Sequence, residues 1–347
     1  MASELHAEAS PTGSSPWGLA LRRLRRNRVA LAFGGLFVLI VLFVLAAPLW
    51  ADHVADTGPN QTHTLEKIEV DGERREVVNV EGKPIGPVWL GGGGKFFLGA
   101  DGRLGRDEMV RLMYGGRASL FIGFAAALMT TVLATILALL AGYYRGWVDT
   151  VISRTLDLIW AFPVLLLGIG LGIALALGGL AIGPVEIPSG SIWITVLIIG
   201  GVLVPYMARP LRGQVLSLRE KEFVEASVAQ GAGPLRVMFG ELLPNLSSTI
   251  IVFFTLGIAN AMLFEAALSF LGVGVQPPDT SWGSMIGDGF NLISSAPLLT
   301  ILPGTMIFLT VLAVNVFGDG LRDALDPHSK VLLEAHSGMA EPEGTAI

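Results

Sequence analysis

Six long apolar runs constrain this chain more than any other feature of its sequence. They lie near 29–50, 118–142, 156–178, 191–208, 247–268 and 297–318. The hydrocarbon core of a bilayer is about 30 Å thick and requires roughly 20 residues at ~1.5 Å rise each, so each run is close to spanning length. With 52% hydrophobic and 15% charged residues, we expect an all-α membrane protein with six transmembrane helices.

The first run follows the basic sequence LRRLRRNR at 21–28. A secretory signal peptide also begins with a basic stretch, but its apolar region is only about 7–15 residues long. The run at 29–50 is longer than that. We therefore interpret it as a membrane span.

The distribution of lysine and arginine predicts the orientation. Short loops rich in these residues remain on the cytoplasmic side. The loops near 179–190 and 269–296 contain neither residue, whereas basic residues cluster before the first run and between the fourth and fifth runs. Both termini are therefore predicted to be cytoplasmic.

Composition excludes several kinds of site and partner. The chain has no cysteine, so it forms no disulfide or thiolate metal site, and its five histidines all lie outside the apolar runs. A net charge of −6 makes nucleic acid an improbable partner. The sequence GGGGK at 91–95 does not fit a phosphate-binding loop, because Phe96 follows where serine or threonine is required. We expect no catalytic residue, bound cofactor or metal in this chain.

The polar stretch EFVEASVAQGAGPLRVMFGELLPN at 222–245 separates the fourth and fifth runs. Its first part favours a helix, and Gly231 to Pro234 interrupt that helix. Pro234 suits the first turn of a second short helix, which is predicted to stop at Pro244. The residues alone leave two interpretations open: an elbow that packs against another protein, or a solvated loop at the membrane surface.

This stretch resembles the cytoplasmic EAA loop of ATP-binding-cassette importer permeases. Glu225-Ala226-Ser227 corresponds to the Glu-Ala-Ala triplet, Gly231 to the glycine, and Leu243-Pro244 to the closing pair. The chain departs from the pattern at Ser227 and at Glu241, where the family usually has an aliphatic residue. Four further segments are similar to the second permease subunit of dipeptide, oligopeptide and nickel importers. The segments are LGRDEMVRLMYGGRASLFIG (104–123), GYYRGWVDTVISRTLDLIWAFP (142–163), LSFLGVGVQPPDTSWG (268–283) and FGDGLRDALDP (317–327).

The resemblance implies the type I importer permease fold and alternating access driven by ATP. The implied partners are a homologous permease, two ATP-binding-cassette ATPase subunits that bind the ATP, an extracytoplasmic substrate-binding protein and membrane lipid. The implied location is the cytoplasmic membrane of a bacterium or archaeon. Glu225, Ala226, Ser227, Gly231, Leu243 and Pro244 would couple this chain to the ATPases.

The resemblance and the apolar runs together give the expected organisation of the chain. It comprises a cytoplasmic tail (1–28), a first span (29–50), an extracytoplasmic loop (51–116), a permease domain (117–319) with its coupling loop (217–245), and a second cytoplasmic tail (320–347).

The sequence leaves the substrate open, and two other classes of membrane protein are alternatives to the importer permease. Short peptides, nickel or another small solute are all possible substrates of such an importer. A secondary transporter or channel would commonly carry ion-coupling carboxylates at mid-membrane, and none is evident here. A membrane-bound enzyme would require a cluster of reactive side chains, which is equally absent from the sequence.

Three polar residues inside the apolar runs are candidate pathway or gating residues. Asn260 and Asn315 fall near mid-membrane, where they either hydrogen-bond between helices or line the substrate pathway. Glu265 lies about 19 residues from the inner edge of its run and so near the outer interface. From there it would be able to order the 268–283 segment.

The loop at 51–116 contains the region that the family resemblance leaves unmatched. Asp71-Gly72 separates two β-leaning runs within 65–80, which predicts a charged, extracytoplasmic β-hairpin insertion. This hairpin is either a docking element or a dispensable appendage. Glycines 91–94 are interpreted as a flexible linker, and 104–117 as a helix lying on the outer membrane surface.

Overall fold

The structure is a computed structural model. It describes residues 16–70, 72–89, 94–102 and 104–325. Most of both predicted tails, Asp71 of the predicted turn and Gly91 to Gly93 of the predicted linker lie outside the described residues.

The described residues are mostly helical, with two small antiparallel hairpins. The helices are α1 (Pro16–Arg26), α2 (Arg28–Leu45), α3 (Ala47–Trp50), α4 (Glu108–Tyr144), α5 (Gly146–Ala161), α6 (Val164–Gly178), α7 (Ile192–Val202), α8 (Val204–Arg219), α9 (Glu222–Ala229), α10 (Pro234–Arg236), α11 (Leu243–Phe270), α12 (Trp282–Phe290) and α13 (Leu298–Leu325). The strands are β1 (Lys67–Val70), β2 (Glu73–Glu76), β3 (Leu180–Ile182) and β4 (Val185–Ile187). Two π-helical turns occur, at Ala51–Ala55 and Val237–Leu242.

Four helical stretches of the described part of the chain are long and apolar enough to cross a membrane. They are Arg28–Leu45, Glu108–Tyr144, Pro234–Phe270 and Leu298–Leu325. Two bent pairs, α5 with α6 and α7 with α8, bring the number to as many as six if each pair is one span. This agrees with the predicted helical membrane protein. The end of the bundle that carries 59–60 and 278–280, which the charge distribution predicts to be extracytoplasmic, is called the outer end below.

The third apolar run, near 156–178, is sharply bent. Helices α5 and α6 meet at 88°. Phe162 is extended, with φ −87° and ψ 141°, as expected of a residue that precedes a proline. Pro163 therefore separates an amphipathic α5 from an apolar α6 of 15 residues.

The fourth apolar run continues beyond its predicted end at 208. Helix α7 bends by 40° into α8, which reaches Arg219. Pro205 lies in the first turn of α8, where a missing N–H costs no helical hydrogen bond.

A separate surface helix at 104–117 is not observed. Helix α4 begins at Glu108 and continues without interruption to Tyr144. The side chain of Asp107 caps it by accepting a hydrogen bond from the Val110 N–H, at 2.9 Å. A helix lying on the membrane surface would expose its charged side chains, but Arg111 is buried.

The second helix of the elbow does not stop at Pro244. It runs from α10 through the π-helical turn at Val237–Leu242 into α11 as one 37-residue stretch. A proline within a regular α-helix clashes with the carbonyl four residues earlier. The wider π-helical turn immediately before α11 gives the chain room to pass Pro244 without ending the helix.

The predicted hairpin is present. Strands β1 and β2 pair in antiparallel register, with Val70 opposite Glu73 and Lys67 opposite Glu76. Gly72 has φ 81°, the left-handed conformation that a two-residue hairpin turn requires. A second hairpin, β3 with β4, lies between α6 and α7 and was not predicted.

The outer insertion has a small hydrophobic core of its own. Val70, Val77, Val88, Phe96 and Ala100 are all buried together there. The hairpin is therefore held by apolar contacts beside its turn, at Val70, and at its base, at Val77, which the alternating charges in 65–80 did not reveal.

Asp107 joins this insertion to α4. Its carboxylate also accepts a hydrogen bond from the Phe96 N–H, at 2.5 Å. Burial raises the pKa of Asp107 above its ordinary value, while the backbone donors of Val110 and Phe96 act in the opposite direction.

Candidate functional site

The elbow is anchored to the helix bundle by buried apolar side chains. Val224 of α9 is 2% exposed and packs in one cluster with Leu211 and Val215 of α8. Val237 and Met238 of the π-helical turn are buried in the same cluster. The elbow is thus a rigid projection of the bundle rather than a solvated loop.

Four large apolar side chains of the elbow remain exposed. Phe223 is 38% exposed, Val228 50%, Leu235 66% and Phe239 58%. The elbow also exposes charged side chains, among them Glu225. Large exposed apolar side chains rimmed by polar residues are typical of a protein-binding surface.

The six predicted coupling residues are all brought onto the elbow. Glu225, Ala226, Gly231 and Pro244 are exposed. Gly231 has φ 86°, a left-handed backbone conformation that favours glycine. Space is not the reason for the glycine, because a Cβ atom added there would have no neighbour within 4 Å. The corner is therefore accessible to another protein.

The two residues at which the elbow departs from the family pattern contact each other. Ser227 Oγ donates a hydrogen bond to Glu241 Oε1, at 3.3 Å. Both side chains are half-buried. This hydrogen bond joins α9 to the π-helical turn, so the unusual glutamate is satisfied within the elbow.

Ion pairs brace the bundle next to the elbow. Arg145 pairs with Glu220 at 2.5 Å, and Arg212 pairs with Asp149 at 2.5 Å. Both pairs connect the α4–α5 region with α8, from which the elbow projects. Partly exposed pairs contribute little to stability one by one, so these are additional contacts to the apolar anchor.

Glu265 is fully buried at the other end of α11. It accepts hydrogen bonds from Ser119 Oγ at 2.9 Å and from Ser269 Oγ at 2.6 Å. These hydroxyls in turn accept from the backbone, Ser119 from the Trp282 N–H at 3.1 Å and Ser269 from the Val275 N–H at 3.0 Å. Glu265 thereby connects α4 and α11 to the loop between α11 and α12.

A charged network fixes the outer end. The Arg111 guanidinium bonds to Asp101 at 3.2 Å, to Asp288 at 3.0 Å and to Thr280 Oγ1 at 3.3 Å. Arg106 pairs with the same two aspartates. Sequence reasoning missed this network because directly bonded members lie up to 182 residues apart.

Comparison with known proteins identifies the fold and family. The family model of the binding-protein-dependent transport system inner membrane component matches residues 134–331. This chain belongs to that family. The model of the N-terminal transmembrane domain of oligopeptide transport permease C matches residues 15–65.

Curated relatives of this permease match over nearly its whole length. The dipeptide transport system permease protein of Alkalihalophilus pseudofirmus is 37% identical over 322 residues, covering 92% of each chain. The glutathione transport system permease protein of Pectobacterium atrosepticum is 36% identical over 316 residues, covering 91% of this chain and 92% of the relative.

A solved structure supports the fold. One chain of the methionine ABC transporter MetNI, in an inward-facing conformation, matches with a TM-score of 0.50 and 16% identity, covering 62% of this chain and 96% of the other. On the family model and the curated relatives, the chain is a multi-pass inner-membrane permease of an ATP-binding-cassette importer and acts together with other transporter subunits. The predicted resemblance is confirmed.

The two asparagines of the permease form no interhelix hydrogen bond within the part of the chain that the structure describes. Asn260 is exposed on α11 and lines a groove of about 540 Å³ with Tyr206 and Phe253. Asn315 is half-buried on α13. In that same part of the chain, no group of three or more His, Asp or Glu residues has metal-binding geometry.

Proposed function

We propose that this permease imports short peptides. The support comes from relatives of matching length whose names specify dipeptide, glutathione and peptide transport. Nickel and other small solutes are the less favoured substrates, since none of these three relatives is named for a metal.

The elbow couples the permease to the ATPase subunits. The observation that carries this proposal is the pairing of a buried anchor, Val224, with the exposed apolar side chains Phe223, Val228, Leu235 and Phe239 on one projection. An anchored, apolar projection transmits a displacement because it moves with the helices into which it is packed. Glu225, Ala226, Ser227, Gly231, Leu243 and Pro244 are the residues proposed to form or support this contact.

The complete transporter contains this permease, a homologous permease, two ATPase subunits and an extracytoplasmic substrate-binding protein. Both termini and the elbow face the cytoplasm. ATP is bound by the partner ATPases, so this chain carries out no catalysis and holds no cofactor of its own. ATP binding would draw the elbows together and open the pathway outward, and ATP hydrolysis would return it.

Phe239→Ala tests the coupling surface. Phe239 is 58% exposed on the elbow, and Phe308, which is 61% exposed on α13, provides a matched control. Fewer than about a third of interface residues cost more than about 1 kcal/mol when truncated, and those that do cluster near the centre of the contact, where we place Phe239. We expect Phe239→Ala to reduce ATPase co-purification and peptide-stimulated ATP hydrolysis by about tenfold, with Phe308→Ala close to wild type.

Equal effects of the two substitutions would refute the coupling role of the elbow. The substrate is tested separately, with the wild-type complex in proteoliposomes and labelled dipeptide or nickel offered in parallel. ATP-dependent accumulation of nickel without dipeptide would refute the peptide assignment.

A further inference from the structure

A groove of about 810 Å³ opens at the outer end of the permease and is not used by the elbow or by the Glu265 network. Helices α2 and α4 form its walls, and the segments at 59–60 and 278–280 form its mouth. Sites for small molecules usually enclose about 300–1,000 Å³ and combine apolar walls with a few polar groups. The groove falls within that range.

The groove walls are apolar and aromatic. Phe37 of α2 and Phe121 and Phe124 of α4 line it, together with Ile258 of α11. Ile258 lies midway along α11, so the groove extends from the outer surface into the span. Aromatic walls of this kind accept apolar side chains of varied shape.

Two opposite charges line the same groove without neutralising each other. Arg117 of α4 and Asp279 of the 278–280 segment both face it. Within the described part of the chain, Arg117 has a cation–π contact with Tyr114, at 5.4 Å, and neither charge has an ion-pair partner. By contrast, the nearby Arg111 forms ion pairs with two carboxylates, those of Asp101 and Asp288.

Both charges are held on well-fixed elements. Arg117 lies on α4 near its outer end, nine residues beyond Glu108 or roughly 14 Å along the helix. Helix α4 has 37 residues and is roughly 55 Å long, so it extends well beyond a ~30 Å bilayer core and leaves this turn close to the interface. Asp279 is followed directly by buried Thr280, which is hydrogen-bonded to Arg111.

We propose that Arg117 and Asp279 bind the two charged ends of a zwitterionic peptide as it enters the pathway, which deepens the peptide-import function proposed above. The guanidinium of Arg117 would donate two hydrogen bonds to the terminal carboxylate, and Asp279 would accept from the terminal ammonium. The aromatic walls would take the side chains without demanding a sequence. An anionic lipid would match Arg117 but would place its charge beside Asp279, so the pair of opposite charges favours the peptide.

The test uses the complete transporter in proteoliposomes with saturating substrate-binding protein. Labelled Ala-Phe is compared with its carboxyl-terminal amide and with its N-acetyl form, in wild type, R117Q, R117K and D279N. R154Q serves as control, because Arg154 is an exposed arginine outside the groove. Loss of a charge-assisted hydrogen bond corresponds to about tenfold or more.

The expected result is a selective loss. R117Q should slow uptake of Ala-Phe about tenfold and of the amide less than twofold. R117K keeps the charge but not the paired donors, so it should fall between R117Q and wild type, and R154Q should match wild type. D279N should slow uptake of free Ala-Phe about tenfold and uptake of the N-acetyl form less than twofold. Equal losses for the free and blocked peptides would overturn the proposal, and if those losses vanished in vesicles without anionic lipid, the occupant would be a phospholipid.

A second measurement does not depend on delivery of the blocked peptides. The chain has no cysteine, so F121C introduces a single thiol into the groove wall, and L177C, at an 87% exposed position, provides the control. Ala-Phe should slow thiol modification at position 121 severalfold, not at 177, and not at 121 when R117Q is also present. Failure of the reagent to reach position 121 in the assembled complex would show that the partner permease fills the groove, and it would overturn the proposal.

The two proposals fail separately. If the wild-type transporter accumulates no peptide, the peptide-import function fails. If it accumulates peptide and R117Q affects free and blocked peptides equally, the function stands and the role of this groove is refuted.

Discussion

Replacing Glu265 by alanine should release the loop between α11 and α12. Glu265 is the final acceptor of two hydrogen-bond relays, one through Ser119 to the Trp282 N–H and one through Ser269 to the Val275 N–H. Alanine removes both carboxylate oxygens of Glu265, so the buried hydroxyls of Ser119 and Ser269 lose their hydrogen-bond acceptor. The two serines then lose the acceptor that orients their hydroxyls, which weakens the hydrogen bonds that they accept from the Trp282 and Val275 N–H groups of the loop.

The expected magnitude follows from those contacts. A buried polar group that loses its partner costs about 1–3 kcal/mol, so two hydroxyls give roughly 2–6 kcal/mol. Removing a buried carboxyl also relieves its own desolvation cost, which moves the net effect toward the lower part of this range, about 2–3 kcal/mol. This corresponds to a roughly 30- to 150-fold increase in the open population of the loop. Glu265→Gln keeps one carbonyl acceptor and should cost about half as much free energy.

Thiol modification measures the opening directly. Val275 is 4% exposed in the loop and Val224 is 2% exposed in the elbow, so V275C and V224C report on two buried positions at opposite ends of the bundle. In the Glu265→Ala background, modification at 275 should accelerate by about that factor while modification at 224 stays unchanged. Unchanged rates at 275 would refute the relay, and equal acceleration at both positions would show that Glu265 supports the whole bundle instead of this loop.

Two further predictions test the same loop and the orientation. Gly274→Ala would place a methyl group 2.2 Å from Ser269 Oγ, and this overpacking should lower the melting temperature of the purified complex by several degrees, whereas Gly178→Ala, with no neighbour within 4 Å, should not. For the orientation, single thiols are introduced at two exposed positions, E186C between α6 and α7 and Q230C in the elbow. In intact cells a membrane-impermeant reagent should modify E186C and not Q230C. Reaction at 230 would reverse the proposed topology and remove the elbow from the cytoplasm.

The sequence predicts the number of membrane crossings because bilayer thickness imposes a minimum length on each apolar run. It also predicts the hairpin, since a two-residue turn requires a left-handed residue and Gly72 provides one, with φ 81°. Both predictions rest on local chemistry. Neither requires knowledge of which elements pack together.

The sharp turn at Pro163 was not predictable in the same way. A proline within an apolar run is compatible with a mild kink and with a complete break. Tertiary contacts accompany the 88° turn: a side chain at Gly168 would meet Phe264 at 2.9 Å, and one at Gly172 would meet the Val273 carbonyl at 3.0 Å. The sequence shows the two glycines, but it does not show that Phe264 of α11 and Val273 of the following loop approach them.

The candidate sites also differ in whether their residues are close together in the sequence. The elbow residues follow one another in the sequence, so a family pattern finds them. The partners of Glu265 and Arg111 do not: Ser119 is 146 residues from Glu265, and Asp288 is 177 residues from Arg111. A buried glutamate near a membrane boundary indicates a polar partner, but only the folded chain identifies it.

Helix α11 connects the proposed coupling surface with the outer loop. The continuous helix from Pro234 to Phe270 has 37 residues and is roughly 55 Å long, with the buried elbow anchors at one end and Glu265 near the other. A regular helix of this length moves nearly as a rigid rod, and irregular hydrogen bonding occurs at the π-helical turn beside Pro244. A displacement of the elbow is therefore divided between bending at that turn and tilting of the rod. If the rod tilts, Glu265 shifts against Ser119 on α4, and we expect the Glu265 relay to influence how much of the elbow's movement reaches the outer loop.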